Sequence, residues 1–521
     1  MDNNQRHLIS NAKNGNFNSA VQLFLNYRDG LNGFEKDEGQ AFEAFTQATT
    51  ILCSHIFLDK LHISNFKKIK NLKINLDKSL TVFIGENGVG KTSLLEAIRR
   101  NLMWIAATTR KDNTNGGRIE EDEINNDAKK KGLGAYIDCE FAVGSIRNTL
   151  RGRIARQTDA SISNLKSELT NYRDLGRNLR YLNEYKDINL PLFAFYGIDR
   201  LQKGAKNNQK ITFEKVDGYD SSLNYKTSFD IFYEWLVQLL KVSEPVVANS
   251  ERQKIQSQID ILLKTGANNK EHPLYEVYED LVSVIKIYPN QELNMKAQNT
   301  IESLERLFKS VYKGLTKIEL INQDDGKDKI VIHLEEEIIF LDQFSDGQRV
   351  LFGLLGDIAR RLILLNNVSE NPLHGYGVIL IDEIELHLHP MWQQQIVLIL
   401  RKSFPNIQFI ITTHSPHVIT TVEPETIRSI YIDRYEIPSF TKGAQSNVVL
   451  KHVFNVDPRP QEVEEVQWLD QYIELVNQDK WDSDEAISLR QKLDAWGKNK
   501  ETELDQIDIE ISLRKFKRSK Q

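Results

Sequence analysis

Residues Ser79 to Arg100 read SLTVFIGENGVGKTSLLEAIRR. A short apolar run ends in glycine, a glycine-rich turn follows, and then comes a stretch of helical period. The run has the composition of a buried strand, and Thr92 to Ala106, TSLLEAIRRNLMWIA, has that of a helix packed against it. Between them, Gly85 to Thr92 match G-x-x-x-x-G-K-[ST] at every position. Such a turn lets the backbone of Gly85, Glu86, Asn87, Gly88, Val89 and Gly90 aim N–H groups at phosphate oxygens. Lys91 supplies a cation to the β- and γ-phosphates, and the Thr92 hydroxyl can ligate Mg²⁺. Ser93 opens the helix, whose positive end favours the same anion.

Further along, YGVILIDEIELHLHP (Tyr376–Pro390) carries an apolar run that ends in Asp382 and Glu383. An acid at the end of a buried strand can hold Mg²⁺ or its water ligand, and Glu383 is then placed to polarise an attacking water. Buried strands also end in acids for no catalytic reason, so this reading leans on the phosphate loop. QFIITTHSPHVI (Gln408–Ile419) is a third apolar strand, ending in Thr412, Thr413 and His414, and His414 stands 32 residues after Asp382. FSDGQR (Phe344–Arg349) precedes a helical stretch, VLFGLLGDIARRLILL, and Ser345 stands 37 residues before Asp382. Taken alone, FSDGQ also fits a capped turn. His387 and His389, two apart with no further ligand at suitable spacing, read as structural rather than metal-binding.

The rest of the chain sets bounds. Its 521 residues are 40% hydrophobic and 27% charged, with a formal net charge of -6. That suits a soluble globular protein and argues against a uniformly basic nucleic-acid coat. Two cysteines, Cys53 and Cys139, point to a reducing cytoplasm rather than a disulfide framework. The first residues lack a signal-peptide pattern, and no stretch nears the roughly 18 apolar residues of a membrane span.

Residues 1–56 read as helical, with Ala12, Phe17, Ala20, Leu23, Phe24 and Tyr27 in one run and Ala41, Ala44, Phe45 and Ala48 in a second. This order resembles a Sel1-like or tetratricopeptide helix pair; a helical extension packed on the main domain fits equally. Residues 111–135 are polar and Gly/Asn/Lys-rich, and predict a mobile loop. AYIDCEFAV and RNTLRGRIA predict strands, and Leu165, Leu169, Tyr172, Leu179 and Leu182 share a helical spacing. LPLFAFYG predicts another buried strand, followed by Asp199, Arg200 and Gln202. Residues 228–313 predict helices with breaks near 265–272 and 288–292. KIELINQ and KIVIHLEEEIIFL predict strands, and 436–521 a charged helical region. A core in residues 57–110 and 315–435 is thus interrupted by strands and a helical insertion at 111–314.

Taken together, NFKKIKNLKINL (Asn65–Leu76), GENGVGKTS, FSDGQR, ILIDEIELHLHP and ITTHSPH resemble the overcoming-lysogenization-defect, RecF and SMC-like branch of ABC ATPases. The resemblance implies an α/β fold: an ABC/SMC-type P-loop ATPase core with a long helical insertion and helical N- and C-terminal additions. It implies ATP and Mg²⁺, and a head-to-head dimer. In that dimer Ser345, Gly347, Gln348 and the helix from Val350 meet the γ-phosphate held by the other subunit, while His414 senses the same phosphate. Asp346 replaces a glycine of the familiar signature. The glutamine such enzymes place near the metal cannot be chosen among Asp199, Arg200 and Gln202.

Three features, the YGIDR segment, the helical insertion and VFNVDPRPQEVEE (Val453–Glu465), are similar to the PtuA family of Septu-type antiphage defence. The helical N-terminus is similar to its retron-associated form. That likeness implies an HNH nuclease partner, PtuB, and a reverse transcriptase with its RNA–DNA hybrid. No Toprim-type Asp-x-Asp follows a strand after His414, and the one in WDSDEA has a helix-like context; no HNH constellation is present either. Nuclease chemistry is therefore expected on another chain. A RecF-type repair ATPase acting on DNA is the alternative, and a transporter subunit a weaker one. Basic clusters that could meet nucleic acid are Lys67, Lys68, Lys70 and Lys73, then Lys129 to Lys131, and the tail LRKFKRSKQ; a solvated face explains each as well.

Overall fold

Four runs with scarcely a polar residue become four neighbouring strands of the largest sheet. In the computed structural model, which describes residues 2–53, 56–112, 114–158, 164–200, 214–224, 229–243, 247–269, 272–285, 291–322, 328–497 and 500–519, the strands follow in order. They are β1 (Ile56–Phe66), β2 (Ile69–Asn75), β3 (Leu80–Ile84), β4 (Ala135–Val143), β5 (Ser145–Arg156), β6 (Leu192–Tyr196), β7 (Leu315–Asn322), β8 (Asp328–Leu334), β9 (Ile338–Phe340), β10 (Gly377–Ile381), β11 (Ile407–Thr412), β12 (Ile427–Tyr431) and β13 (Arg434–Glu436). Every residue of β3, β6, β10 and β11 is buried, as strands covered on both faces must be.

These strands lie in the order β13-β12-β3-β11-β10-β6, parallel except for the antiparallel edge strand β13. An antiparallel sheet, β2-β1-β4-β5, lies in the same compact unit, and β7, β8 and β9 form a third. Gln408 is a buried polar residue near the start of β11, and its amide explains how the first two sheets are joined. Its Nε2 donates to the carbonyls of Leu58 (2.8 Å) and Asp77 (2.7 Å), and its Oε1 accepts from the Leu58 N–H (2.8 Å). Every polar atom of that amide that needs a partner has one.

The chain divides into two compact units, Met1–Gly443 and Ala444–Gln521. The second contains helices Ser446–His452, Glu464–Asn477, Asp484–Gly497 and Thr502–Ser519, with a core that includes Leu469, Tyr472, Leu489, Leu493 and Leu504. In the first unit β13 runs through Glu436, so the helical C-terminal region starts later than residue 436. No helix among the described residues is long and apolar enough to cross a membrane.

Three further expectations are corrected. Residues 111–135 are no loose loop: they carry a 3₁₀ turn, Glu121–Glu123, and a helix, Asn126–Lys130, and bury Ile119, Ile124 and Ala128. Trp104 Nε1 donates to the Gly117 carbonyl (2.8 Å), and Arg100 forks onto the Glu123 carboxylate (2.5 Å). Polar composition concealed a segment pinned by side chains of the neighbouring helix. The N-terminal region holds three helices rather than a pair, Asn3–Lys13, Phe17–Asp29 and Glu38–Cys53, because Asn16 caps a new helix through the Ser19 N–H (2.9 Å). Leu165 and Leu169 precede the helix Thr170–Tyr185, in which Tyr172, Leu179 and Leu182 are buried as expected.

Candidate nucleotide site

The parallel strands β3, β10 and β11 end side by side, and residues at or just beyond their carboxyl ends line one pocket of about 340 Å³. From the turn after β3 come Asn87, Gly88, Gly90, Lys91, Thr92 and Ser93; from the end of β10, Asp382 and Glu383; from that of β11, Thr412 and His414. Gly85, Glu86 and Val89 belong to the same turn without lining the pocket. The crevice beyond the carboxyl ends of parallel strands is where open α/β sheets bind ligands. Gly85 (φ 146°) shows why glycine is needed: a Cβ there would stand 2.6 Å from the Ile430 carbonyl oxygen. Gly90 (φ 110°) then starts the helix Lys91–Arg110, which has no side-chain cap on its first N–H groups.

Within the pocket, Lys91 Nζ donates to the carbonyls of Gly85 and Glu86, both at 2.9 Å. The Thr92 hydroxyl donates to Asp382 Oδ2 (3.0 Å), and Thr412 Oγ1 donates to Asp382 Oδ1 (2.6 Å). Asp382 is only 2% exposed. A hydroxyl and a fixed carboxylate, both hard oxygen donors beside a phosphate-type turn, fit Mg²⁺ in chemistry and placement.

Glu383 has φ 45° and His387 φ 67°, so the turn after β10 is a tight one that L-residues rarely adopt. The Glu383 N–H donates to Thr412 Oγ1 (2.7 Å), and the His414 N–H donates to Glu385 Oε1 (2.5 Å). Burial, together with the charges of Asp382 and Glu385, raises the Glu383 carboxyl above the usual range, against Lys91 and Arg200. Burial also lowers the Lys91 ammonium, opposed by Asp382, Glu383 and Glu385. Burial and the nearby Lys91 lower His414, which favours its neutral form. A water held between such a carboxylate and a bound phosphoryl group would be oriented and partly desolvated, as phosphoryl transfer to water requires.

Ser345, Gly347 and Gln348 are not in this pocket. Ser345 caps the helix Asp346–Leu365 through the Gln348 N–H, and Gln348 Oε1 accepts from the Ser345 N–H (2.9 Å). The capped turn that FSDGQ predicts on its own is thus present. Ser345 and Asp346 are exposed. Gly347 lies against the turn after β10, where a Cβ would come within 2.7 Å of the His387 carbonyl oxygen. The start of the helix Asp346–Leu365 is itself held: Tyr312 donates to the Gln348 carbonyl (2.8 Å) and Tyr233 to that of Arg349 (3.2 Å). His389 caps the helix Pro390–Gln393 through Nδ1.

Four residues of the site carried no assigned role from sequence. Thr412 was visible only as part of TTHS, and Glu385 only as a second acid in DEIE. Arg200 was one of three candidates for the metal-proximal position; Gln202, another, lies outside the described residues. Lys68 was grouped with a basic cluster that the structure divides. Lys67 pairs with Glu96 and Glu123, Lys70 with Asp127 (2.9 Å), and Lys68 stands exposed at the pocket, its Nζ 3.1 Å from where a Cβ on Gly88 would sit.

A family model described as "AAA ATPase domain" matches residues 57–419. The "Retron Ec83 probable ATPase" of Escherichia coli is 30% identical over 97% of this chain and 96% of its own length. The "Retron Vc95 probable ATPase" of Vibrio cholerae serotype O1 biovar El Tor is 30% identical over 81% of this chain and 82% of its own. The "Septu protein PtuA" of Bacillus mycoides is 26% identical over 69% of this chain and 38% of its own. The chain belongs to the AAA ATPase domain family and is PtuA-like, similar over most of its length to the retron-named ATPases.

Proposed function

We propose that the chain binds ATP with Mg²⁺ in the pocket after β3, β10 and β11 and hydrolyses it only as a head-to-head dimer. The observation that carries this reading is the separation of the motifs. The phosphate turn, Asp382, Glu383 and His414 share one pocket, while the exposed Ser345 and the half-buried Gly347 and Gln348 lie at a helix start outside it. A second copy can supply that helix start, whose N–H groups and positive end suit a γ-phosphate.

Thr92 and Asp382 hold the metal in this reading, and Lys91 and the turn's N–H groups hold the phosphates. Glu383 orients the attacking water, and His414 meets the γ-phosphate. Bound Mg²⁺ would neutralise charge on the β- and γ-phosphates. The ATPase acts as the regulator of a separate HNH nuclease, with a reverse transcriptase and its RNA–DNA hybrid as further partners; the retron-named and PtuA-named relatives support that setting. A DNA-binding role has less support, since two lysines of the cluster around Lys67 are held by carboxylates.

Nucleotide titration tests the pocket. Lys91→Ala removes a charged donor worth about 1.5–3 kcal/mol per hydrogen bond to a phosphate, so ATP affinity should fall at least about tenfold to a hundredfold. Unchanged affinity would place the triphosphate elsewhere.

A further inference from the structure

Arg200 is 1% exposed, among the largest fully buried side chains of the described residues. Its guanidinium meets main-chain carbonyls. Nη1 donates to Asp382 O (3.0 Å) and Nη2 to Glu383 O (2.8 Å), with longer contacts to Ile384 O (3.4 Å) and Leu386 O (3.3 Å). All four carbonyls belong to the single turn after β10. That turn holds Glu383 and His387 at positive φ, a conformation that persists only when its surroundings enforce it. Thr412 fixes the amide of Glu383 from one side (2.7 Å), and Arg200 fixes the carbonyl of the same residue from the other. Both peptide groups that orient the Glu383 side chain are therefore anchored, one from β11 and one from the segment after β6. The planar guanidinium also brings positive charge beside Asp382, Glu383 and Glu385, and no lysine could span two carbonyls with the same fixed fork.

We propose that Arg200 is a positioning residue for Glu383, setting the turn that aims its carboxylate at the attacking water without touching nucleotide. The proposal rests on Glu383 being the group that orients that water.

The test uses the full-length protein with MgATP as the probe. Arg200→Lys keeps the cation and loses the fork. Its kcat should fall about 10²-fold, the scale of a small misplacement of a reacting group, while its ATP dissociation constant stays within about threefold. Placed in a Glu383→Gln background, Arg200→Lys should lower turnover no further, since both changes act through one carboxylate. Wild-type turnover in Arg200→Lys would overturn the proposal. So would a parallel loss of binding and turnover, or a loss that multiplies with that of Glu383→Gln. Should Arg200→Lys lose its helical circular dichroism, Arg200→Met provides the same comparisons, and loss of fold by both would make the arginine purely structural. A Glu383→Gln protein with normal turnover would sink the reading of the site and this inference together; an inactive Glu383→Gln beside a fully active Arg200→Lys would sink the inference alone.

Discussion

A Glu383→Gln protein should bind ATP and hydrolyse it about 10³-fold more slowly than the unaltered chain, within the range that general-base and water-orienting groups contribute. The change is nearly isosteric. It leaves the Thr412 contact to the Glu383 N–H and the Arg200 contact to its carbonyl in place, so the turn and the phosphate pocket should survive. What is lost is the carboxylate charge that polarises water. Because ATP is retained and not consumed, the protein should accumulate as an ATP-bound dimer, seen as a doubled mass by light scattering. Normal phosphate release by this variant would remove Glu383 from the chemistry.

The second large effect is on stability. In the helix that FSDGQR begins, Asp357 is fully buried between Arg360 and Arg361. Its Oδ1 accepts from Arg360 (2.8 Å), and its Oδ2 from Arg361 (2.8 Å) and the Tyr196 hydroxyl (3.0 Å). Arg361 also donates to the carbonyls of Gly218 (2.9 Å) and Asp220 (2.8 Å). Asp357→Ala would leave two guanidiniums buried without their anion, and breaking such a network costs about 3–5 kcal/mol. Denaturant unfolding at neutral pH should show this loss.

The same group sets a pH dependence. Burial pushes the Asp357 carboxyl up, but Arg361 and Arg360 more than offset it and hold it down at about 2. A carboxyl lowered on folding stabilises the native state above its unfolded value near 4, and that stabilisation is lost as pH falls through about 2. The unaltered chain should therefore lose stability between about pH 4 and pH 2, with a shallower slope in Asp357→Ala. Equal slopes would mean that folding does not lower the Asp357 carboxyl.

What could be foreseen from sequence tracked the physics of each feature. The phosphate turn and the strands ending at Asp382 and Thr412 are local: an uninterrupted apolar run followed by glycine or acid marks a covered parallel strand whatever the rest of the chain does. The Asp357 network was invisible because GDIARRLILL scans as an ordinary helix with two arginines. Only the fold shows that both point inward, toward Tyr196 from a strand more than a hundred residues earlier. Arg200 escaped for a similar reason. Its partners are backbone carbonyls, which have no signature in a sequence. Residues 111–135 misled through composition, since the groups that pin them, Arg100 and Trp104, lie outside the polar stretch.

The central claim, one catalytic site built from two copies, is tested most directly by mixing two inactive proteins. Lys91→Ala lacks the phosphate cation, and Ser345→Arg blocks the exposed helix start. In a mixed dimer one site carries both defects, and the other pairs an intact phosphate turn with an intact signature turn. Random exchange should thus restore up to about one quarter of the unaltered ATPase rate, given a two-fold symmetric pair. If subunits exchange, as a tagged partner would show, and the mixture stays as inactive as its components, the site is complete within one chain and the account is wrong.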